Sequence, residues 1–431
     1  MPQSIQSDFL IILLLCSALS VGCGSYSDST QRSRLALLRG NSTLAVSVLN
    51  KTLEHQSENS AQLLLLLERG IALQQSEEYE ASTLDLQRAD EGLEVIDYSK
   101  TPIKDLGTYL YSDDSSPYRP PPFEKAMINV FNMINYLALN KWSKAKVEVR
   151  RLAVLESFWN EALEEAAKIE LNHLRQLIHW MSAFTYIATG DSSLALKEAE
   201  RGGFQLPSAP QRPVGQKYSP VLIVSSSGMV PHKVAQRIPL GRALLLIGPH
   251  HTWDQQQRAK LARVQAKGLM KWLNFPSLSS SANGGNQRFM INQTNIPPVL
   301  RISLSQLVRS SFNKVQPLLI VAAITRLLTR AVVGEVTESL GKRGSNRVVG
   351  LLLGLVAEGS LAVADTPDTR SWSNLPDQLQ LYWLWLPPGQ HTLSAEHDTY
   401  RWQKVLEVNG DGTPFVLNFP ALKPTYNHSD R

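Results

Sequence analysis

Cysteine is the scarcest chemically useful residue in this chain. Two occur among 431 residues, Cys16 and Cys23, and none follows. That excludes a disulfide, a CxxC redox pair and a cysteine zinc site from everything downstream of residue 23. Without staples, a chain of this length must be held by its apolar cores. A hydrophobic share of 43% against 19% charged residues is a globular balance. Linear catalytic signatures are missing too. No HxxxH or HExxH spacing occurs; His250 and His251 stand side by side with Asp254 nearby, short of the converging ligand set that a metal needs. No GxSxG elbow is present. Gly334, Gly341 and Lys342 fail the phosphate-loop spacing, and Arg343 stands where Ser or Thr is required. The stretch Asn409–Thr413 is too short for an EF-hand loop. No metal or cofactor is expected. A net charge of +5 is a weak excess over so long a chain, so nucleic acid is not an expected partner.

Long hydrophobic runs are also missing. The first, Phe9–Leu15, continues weakly to Val21 and is shorter than the roughly 20 residues that span a bilayer. It suits the apolar core of a signal peptide ending in small residues at Val21-Gly22. A lone cysteine just after that point, Cys23, resembles a bacterial lipoprotein signal, in which the thiol is acylated and becomes a membrane anchor. Gly24 rather than Asp follows, which by the same resemblance points to the outer membrane. Ser20 stands where such signals usually carry Leu, and residues 1–8 hold no Lys or Arg. An ordinary export signal with an incidental cysteine therefore stays open. The second run, Val348–Ala364, is 17 residues with Glu358 inside it, and reads as a buried helix rather than a membrane span.

Residues 31–203 read as helices. Three windows repeat one arrangement, two helices around a tight turn. They centre on Gly70 to Ala89, on Tyr136 to Val149 and on Ala183 to Ala199. A half unit with Gly40 and Ala45 precedes them. They resemble tetratricopeptide repeats, in which small residues let two helices approach and an aromatic closes the pair. Ala45, Ser82, Ala145 and Ala195 occupy the equivalent position, and the long gap is taken up by Ser99–Pro122. A generic helical bundle is the alternative. Tyr136 and Trp142 read as internal packing residues, or as partner-binding ones if the repeats form a groove.

From Gln205 the composition shifts. A Pro-rich linker leads to a strand at Val221–Val224, a turn at Ser227-Gly228 and an expected partner strand directly after it. A helix is expected over 254–269 and a short strand over 271–278. Lys260, Arg263, Lys267 and Lys271 form a basic stripe beside Trp272 that would suit an anionic membrane; a solvated helix face is the preferred reading. Residues 302–340 read as helix with Pro317 near the start of its longer part, and Arg326 and Arg330 opposite Ile324, Leu327 and Leu328. The tail alternates with period two. Gln378–Leu386 reads as a strand, and Trp402–Phe419 as a hairpin around Asn409-Gly410-Asp411-Gly412.

The expected architecture is α+β. A signal peptide (1–22) and a linker (23–30) lead to a tetratricopeptide-like α-solenoid (31–203). A mixed α/β region (204–301), a helical segment (302–364), a small β-sandwich (365–424) and a tail (425–431) follow. With these segments placed, the chain resembles a family of bacterial lipoproteins with tetratricopeptide-like helices and no settled activity. The match is carried by 135–152, 221–240, 314–336 and above all 364–393, with Asp368, Arg370, Trp372, Leu375, Pro376 and Pro388-Gly389. The family's acidic pair before Arg-Ser-Trp is split here by Thr366-Pro367-Asp368. The resemblance implies a scaffold for protein partners in envelope assembly, anchored by lipid at Cys23 to the outer membrane and facing the periplasm. It implies no oligomeric state. Arg370 is expected to pair with Asp365 or Asp368 and so join the helical and β parts, with Trp372 as a packed wedge. The alternative function is an envelope hydrolase with a discontinuous site around His250, His251 and Asp254.

Overall fold

A computed structural model describes residues 25–55, 60–98, 118–209, 217–247, 255, 259, 262, 272–282, 287–341, 367–397 and 400–420. Cys23, His250, His251, Asp254, the stripe Lys260 to Lys271, Lys342, Arg343, the run 348–364 and Asp365 lie outside the described residues, as do the side chains of Arg326 and Arg330.

The helices come as four hairpins. The pairs are α1 (Tyr26–Leu38) with α2 (Ser42–Glu54), α3 (Ser60–Gln75) with α4 (Tyr79–Tyr98), and α5 (Pro122–Ala138) with α6 (Trp142–Ala162). After the short α7 (Glu165–Glu170), the last is α8 (Asn172–Ala188) with α9 (Ser192–Gly202). The linker expected over 23–30 is shorter than that, because α1 starts inside it. Ser25 and Asp28 form a reciprocal capping box that satisfies the first free N–H groups and starts the helix there.

Each hairpin turns in the same way. A three-residue connection places one residue in the left-handed region: Gly40 (φ 72), Glu77 (φ 65), Asn140 (φ 55) and Gly190 (φ 81). The next N–H bonds back to the carbonyl five residues earlier. The four bonds are Asn41 to Ala36 (2.9 Å), Glu78 to Leu73 (2.9 Å), Lys141 to Tyr136 (2.8 Å) and Asp191 to Tyr186 (2.8 Å). This is the Schellman closure, which satisfies carbonyls that a helix end would leave free. Five residues after each left-handed residue stand Ala45, Ser82, Ala145 and Ala195, all at 0% exposure. A small side chain there lets the second helix approach the first, and Ser82 donates to the Gly70 carbonyl at 2.7 Å.

Among the described residues ten strands follow these hairpins: β1 (Ser219–Ser227), β2 (Lys233–Pro239), β3 (Trp272–Leu278), β4 (Arg288–Ile291), β5 (Thr294–Ile296), β6 (Leu300–Ser303), β7 (Gln378–Leu386), β8 (Gly389–His397), β9 (Tyr400–Val408) and β10 (Phe415–Pro420). Helices interrupt them, among the described residues α10 (Leu240–Ile247) and the 38-residue α11 (Leu304–Gly341). One sheet runs β10-β1-β7-β6, another β5-β4-β8-β9, and β2 with β3 makes a separate ribbon.

Several pairings differ from expectation. β1 does not pair with the segment after its turn; it is flanked by β7 antiparallel and β10 parallel. Nor do Asn409–Gly412 close a hairpin. β9 pairs with β8, and the chain then crosses to the other sheet, where Phe415 lies beside Val221. Residues 302 and 303 belong to β6 rather than to the long helix. The strands after residue 365 therefore do not form a sheet of their own. Each four-stranded sheet takes strands from both sides of α11. β1 needs two partners because it is buried along almost its whole length, so neither of its edges can be left to water.

The two sheets share an apolar cluster. Val221, Ile223 and Tyr382 from one meet Phe289, Leu393 and Leu406 from the other. The Phe289 ring lies 4.7 Å from Tyr382 and 5.2 Å from Phe419. A larger cluster joins the hairpins to the first sheet, running from Leu64 and Phe131 through Trp180 and Phe184 to Leu222, Ile302, Leu379 and Trp383.

Candidate functional site

The most unusual feature is an irregular segment, residues 368–377, laid against the helices. Its polar groups meet the first helix of three successive hairpins. Thr369 Oγ1 accepts from the Ser27 N–H of α1 at 3.1 Å. Glu68 of α3 takes the Ser373 N–H at 2.7 Å, the Ser373 hydroxyl at 2.6 Å and the Asn374 N–H at 3.1 Å. Asn374 Nδ2 donates to the Glu68 carbonyl at 2.6 Å. On α5, the Trp372 backbone bonds to Glu124, and the Trp372 ring meets Phe131 edge-on at 6.0 Å. On the other side, Lys233 N–H donates to Ser371 Oγ at 3.2 Å, Val230 N–H to the Leu375 carbonyl at 3.0 Å and Leu304 N–H to the Asp377 carbonyl at 2.8 Å. The segment is a seam between the helices and the strands.

Its electrostatics follow from burial. Glu68 is fully buried, which raises its carboxyl, and the donors from Ser373 pull part of that back, leaving it at about 7. Arg34 of α1 stands beside it, donating to the Ser27 carbonyl at 2.8 Å and to Ser373 Oγ at 3.4 Å. Glu124 is likewise lifted by burial to about 7, with Tyr118 donating to it and Lys233 nearby. A cavity of about 30 Å³ lined by Tyr118, Glu124, Lys233 and Ser371 has the size of a water site rather than a substrate site.

Arg370 and Asp368 are both buried, and their fork is formed within the segment, at 2.9 and 3.1 Å, with the Arg370 N–H also donating to Asp368 at 2.9 Å. The expected pairing of Arg370 with Asp368 is present, while Asp365 lies outside the described residues. The pair shapes the segment, and Thr369, Ser373 and Asn374 bond to the helices. Trp372, 1% exposed, is the packed wedge. Tyr136 is buried and accepts from Gln87 Nε2 at 2.9 Å. Trp142 opens α6 and packs, partly buried, on the main cluster. These four positions are not brought together: Tyr136 and Trp142 sit at the third hairpin's turn, Arg370 and Trp372 in the seam.

Among the described residues Ser279 Oγ pairs with His232 Nδ1 at 2.9 Å. The His232 N–H also donates to that oxygen at 3.0 Å, and burial with the nearby Arg34 lowers the imidazole to about 4. Such a ring is a weak base at neutral pH, and the hydroxyl serves to lock the end of the β2–β3 ribbon. Among the described residues no cluster of three His, Cys, Asp or Glu could hold a metal, and no helix is long and apolar enough to cross a membrane. No protein-family model, curated protein or solved structure matches this chain.

Glu68 and Glu124 are the residues that sequence reasoning missed. A signal existed for the first: it follows five leucines, Leu63–Leu67, where a charge on a core-facing helix needs a partner.

Proposed function

We propose that the protein is a lipid-anchored scaffold of a bacterial outer membrane, facing the periplasm and binding protein partners in envelope assembly. The observation that carries this reading is the fourfold helical hairpin, with its equivalent turn and buried small residue, an array whose usual use is to present extended surface to other proteins. The finer reading is a tetratricopeptide-like solenoid on a β-sandwich.

The partner surface is not the face formed by α1, α3 and α5, because residues 368–377 fill it from the same chain. It lies on the outer helices, where Leu84 (58%), Val154 (71%) and Leu196 (60%) stand exposed on α4, α6 and α9. A photo-crosslinker at Val154 or Leu196 is expected to capture envelope proteins in native membranes, while one at Trp372 captures none. The reverse result would remove the reading. Intact mass and fractionation of wild type beside Cys23→Ser test the anchor: a lipid-sized gain lost in the variant is expected.

A further inference from the structure

Charge is distributed unevenly along the chain. From Arg201 to Arg330 there are 17 Lys and Arg residues and one carboxylate, Asp254. The rest of the chain is net acidic, so the modest total of +5 conceals two regions of opposite sign. The structure gathers part of the basic region into a small module. The β2–β3 ribbon, α10 and the adjoining stretch of α11 pack on one cluster of Ile238, Leu273, Phe275, Ile320 and Ile324. None of β2, α10, β3 or α11 up to Ile324 contains Asp or Glu.

The outside of this module carries apolar side chains that the cluster does not absorb. Leu245 is 82% exposed, Trp272 47%, Leu318 45% and Leu246 41%. The Arg237 guanidinium lies 5.7 Å from the centre of the Trp272 ring, and Arg242 is exposed on α10 between them in sequence. Ala243 and Leu240 turn inward, so the helix spends its outward face on leucine where a wholly hydrated helix would be polar. Lys314 of α11 pairs with Glu170 at 2.7 Å, but Arg237, Arg242 and Trp272 stand on described elements without Asp or Glu that also expose leucine, the chemistry of a surface that rests on anionic headgroups and inserts its apolar tips below them.

We infer that the module of β2, β3, α10 and the first half of α11 docks on an anionic phospholipid surface through Arg237, Arg242, Leu245, Leu246 and Trp272. The contact is separate from any acyl anchor and would hold the protein in one orientation on the bilayer. Arg288 is a contrast within the same basic region: it stands in β4 opposite Glu396 of β8, in the other sheet.

The test uses the full chain with Cys23→Ser in every sample, so that acylation of that thiol contributes to none. Vesicles of phosphatidylcholine alone and with added phosphatidylglycerol are floated with the protein, and the ratio of bound fractions is read. Binding is expected to favour the anionic vesicles and to fall as salt is raised from about 0.1 to about 0.5 M. Arg237→Glu with Arg242→Glu is expected to weaken it about tenfold or more, and Leu245→Ser to weaken it on anionic vesicles, with melting temperature unchanged. Arg288→Glu is expected to leave it as it was. Equal binding to both vesicles, or a double variant that floats like the parent, would overturn the inference. Tighter binding to a random DNA duplex at the same salt would replace lipid by nucleic acid as the occupant. The mass of the wild-type protein reports on the anchor independently.

Discussion

Glu68 shows how much one side chain can organise. Its two oxygens accept three hydrogen bonds from two consecutive residues more than 300 positions away. Replacing it by Ala leaves those buried donors without acceptors, and a cost of about 2–4 kcal/mol is expected in urea unfolding. A change under about 0.5 kcal/mol would mean that the seam is held by Trp372 packing alone. Glu77 makes the opposite case. Its three counterparts in the other turns are Gly40, Asn140 and Gly190, and it bears a Cβ in a left-handed conformation that such residues adopt at a cost. Glu77→Gly is expected to stabilise by roughly 0.5–1 kcal/mol, since strain relieved exceeds the added freedom of the unfolded chain. A lower melting point in the variant would contradict this. The positions at which small residues pack were legible in sequence. The left-handed Glu was not, because nothing in its side chain announces that conformation.

At the scale of elements, period-two patterning located the strands but not their partners. β7 and β9 alternate visibly, yet the turn after β9 leads to the other sheet. Both glycines of that turn have positive φ, 78 and 86, and Asp411 bridges in parallel to Lys217, which sets β10 beside β1 instead of beside β9. Truncation after Pro414 therefore removes a partner of β1, not one arm of a hairpin. It also takes Phe419 from its edge contacts with Phe289 and Trp402, at 5.2 and 4.2 Å. The expected result is fast hydrogen exchange at Val221–Ser226 and lower solubility, from a newly opened sheet edge. Unchanged protection there would show that the parallel ladder is dispensable.

At the scale of the whole molecule, buried carboxyls set the main direction of titration below neutrality, outweighing His232, whose lowered imidazole acts in the opposite sense. The folded-state carboxyls of Glu68, Glu124 and Glu148 sit at about 7, raised chiefly by burial from an ordinary 4.5. Groups raised in this way favour folding below their unfolded value, and that advantage is lost as pH rises through the folded one. His179 acts in the next window. Burial alone would lower it, but Glu156 at 3.2 Å and Glu198 at 2.8 Å hold it charged, at about 9 against 6.5. Its contribution is complete below 6.5 and gone above 9. The urea midpoint is thus expected to fall from about pH 5 to about pH 8, above which Lys125, lowered by burial to about 8, offsets His179, and His179→Gln is expected to flatten the upper part of that slope. A midpoint that rises between about pH 5 and about pH 8 would contradict the carboxyl and His179 assignments. The core also implies that the helices do not stand alone. A fragment of residues 25–204 uncovers Phe131, Trp180 and Phe184 and loses the donors to Glu68, so dye binding and weak near-ultraviolet dichroism are expected rather than a sharp transition.

The amino-acid sequence by itself determined the local order of this protein. Small residues five positions after each turn, a Ser–Asp capping box and alternating strands near the end are short-range patterns, and short-range sterics and hydrogen bonds decide them. The tertiary structure decided what faces what. Residues 368–377 lie between helices and strands, where Ser373 and Asn374 supply donors to Glu68 and the Trp372 backbone adds to that of Tyr118 at Glu124, both carboxyls being buried on helices far away in the chain. A buried polar group's partner is set by where the chain brings it, and no spacing along the sequence records that distance.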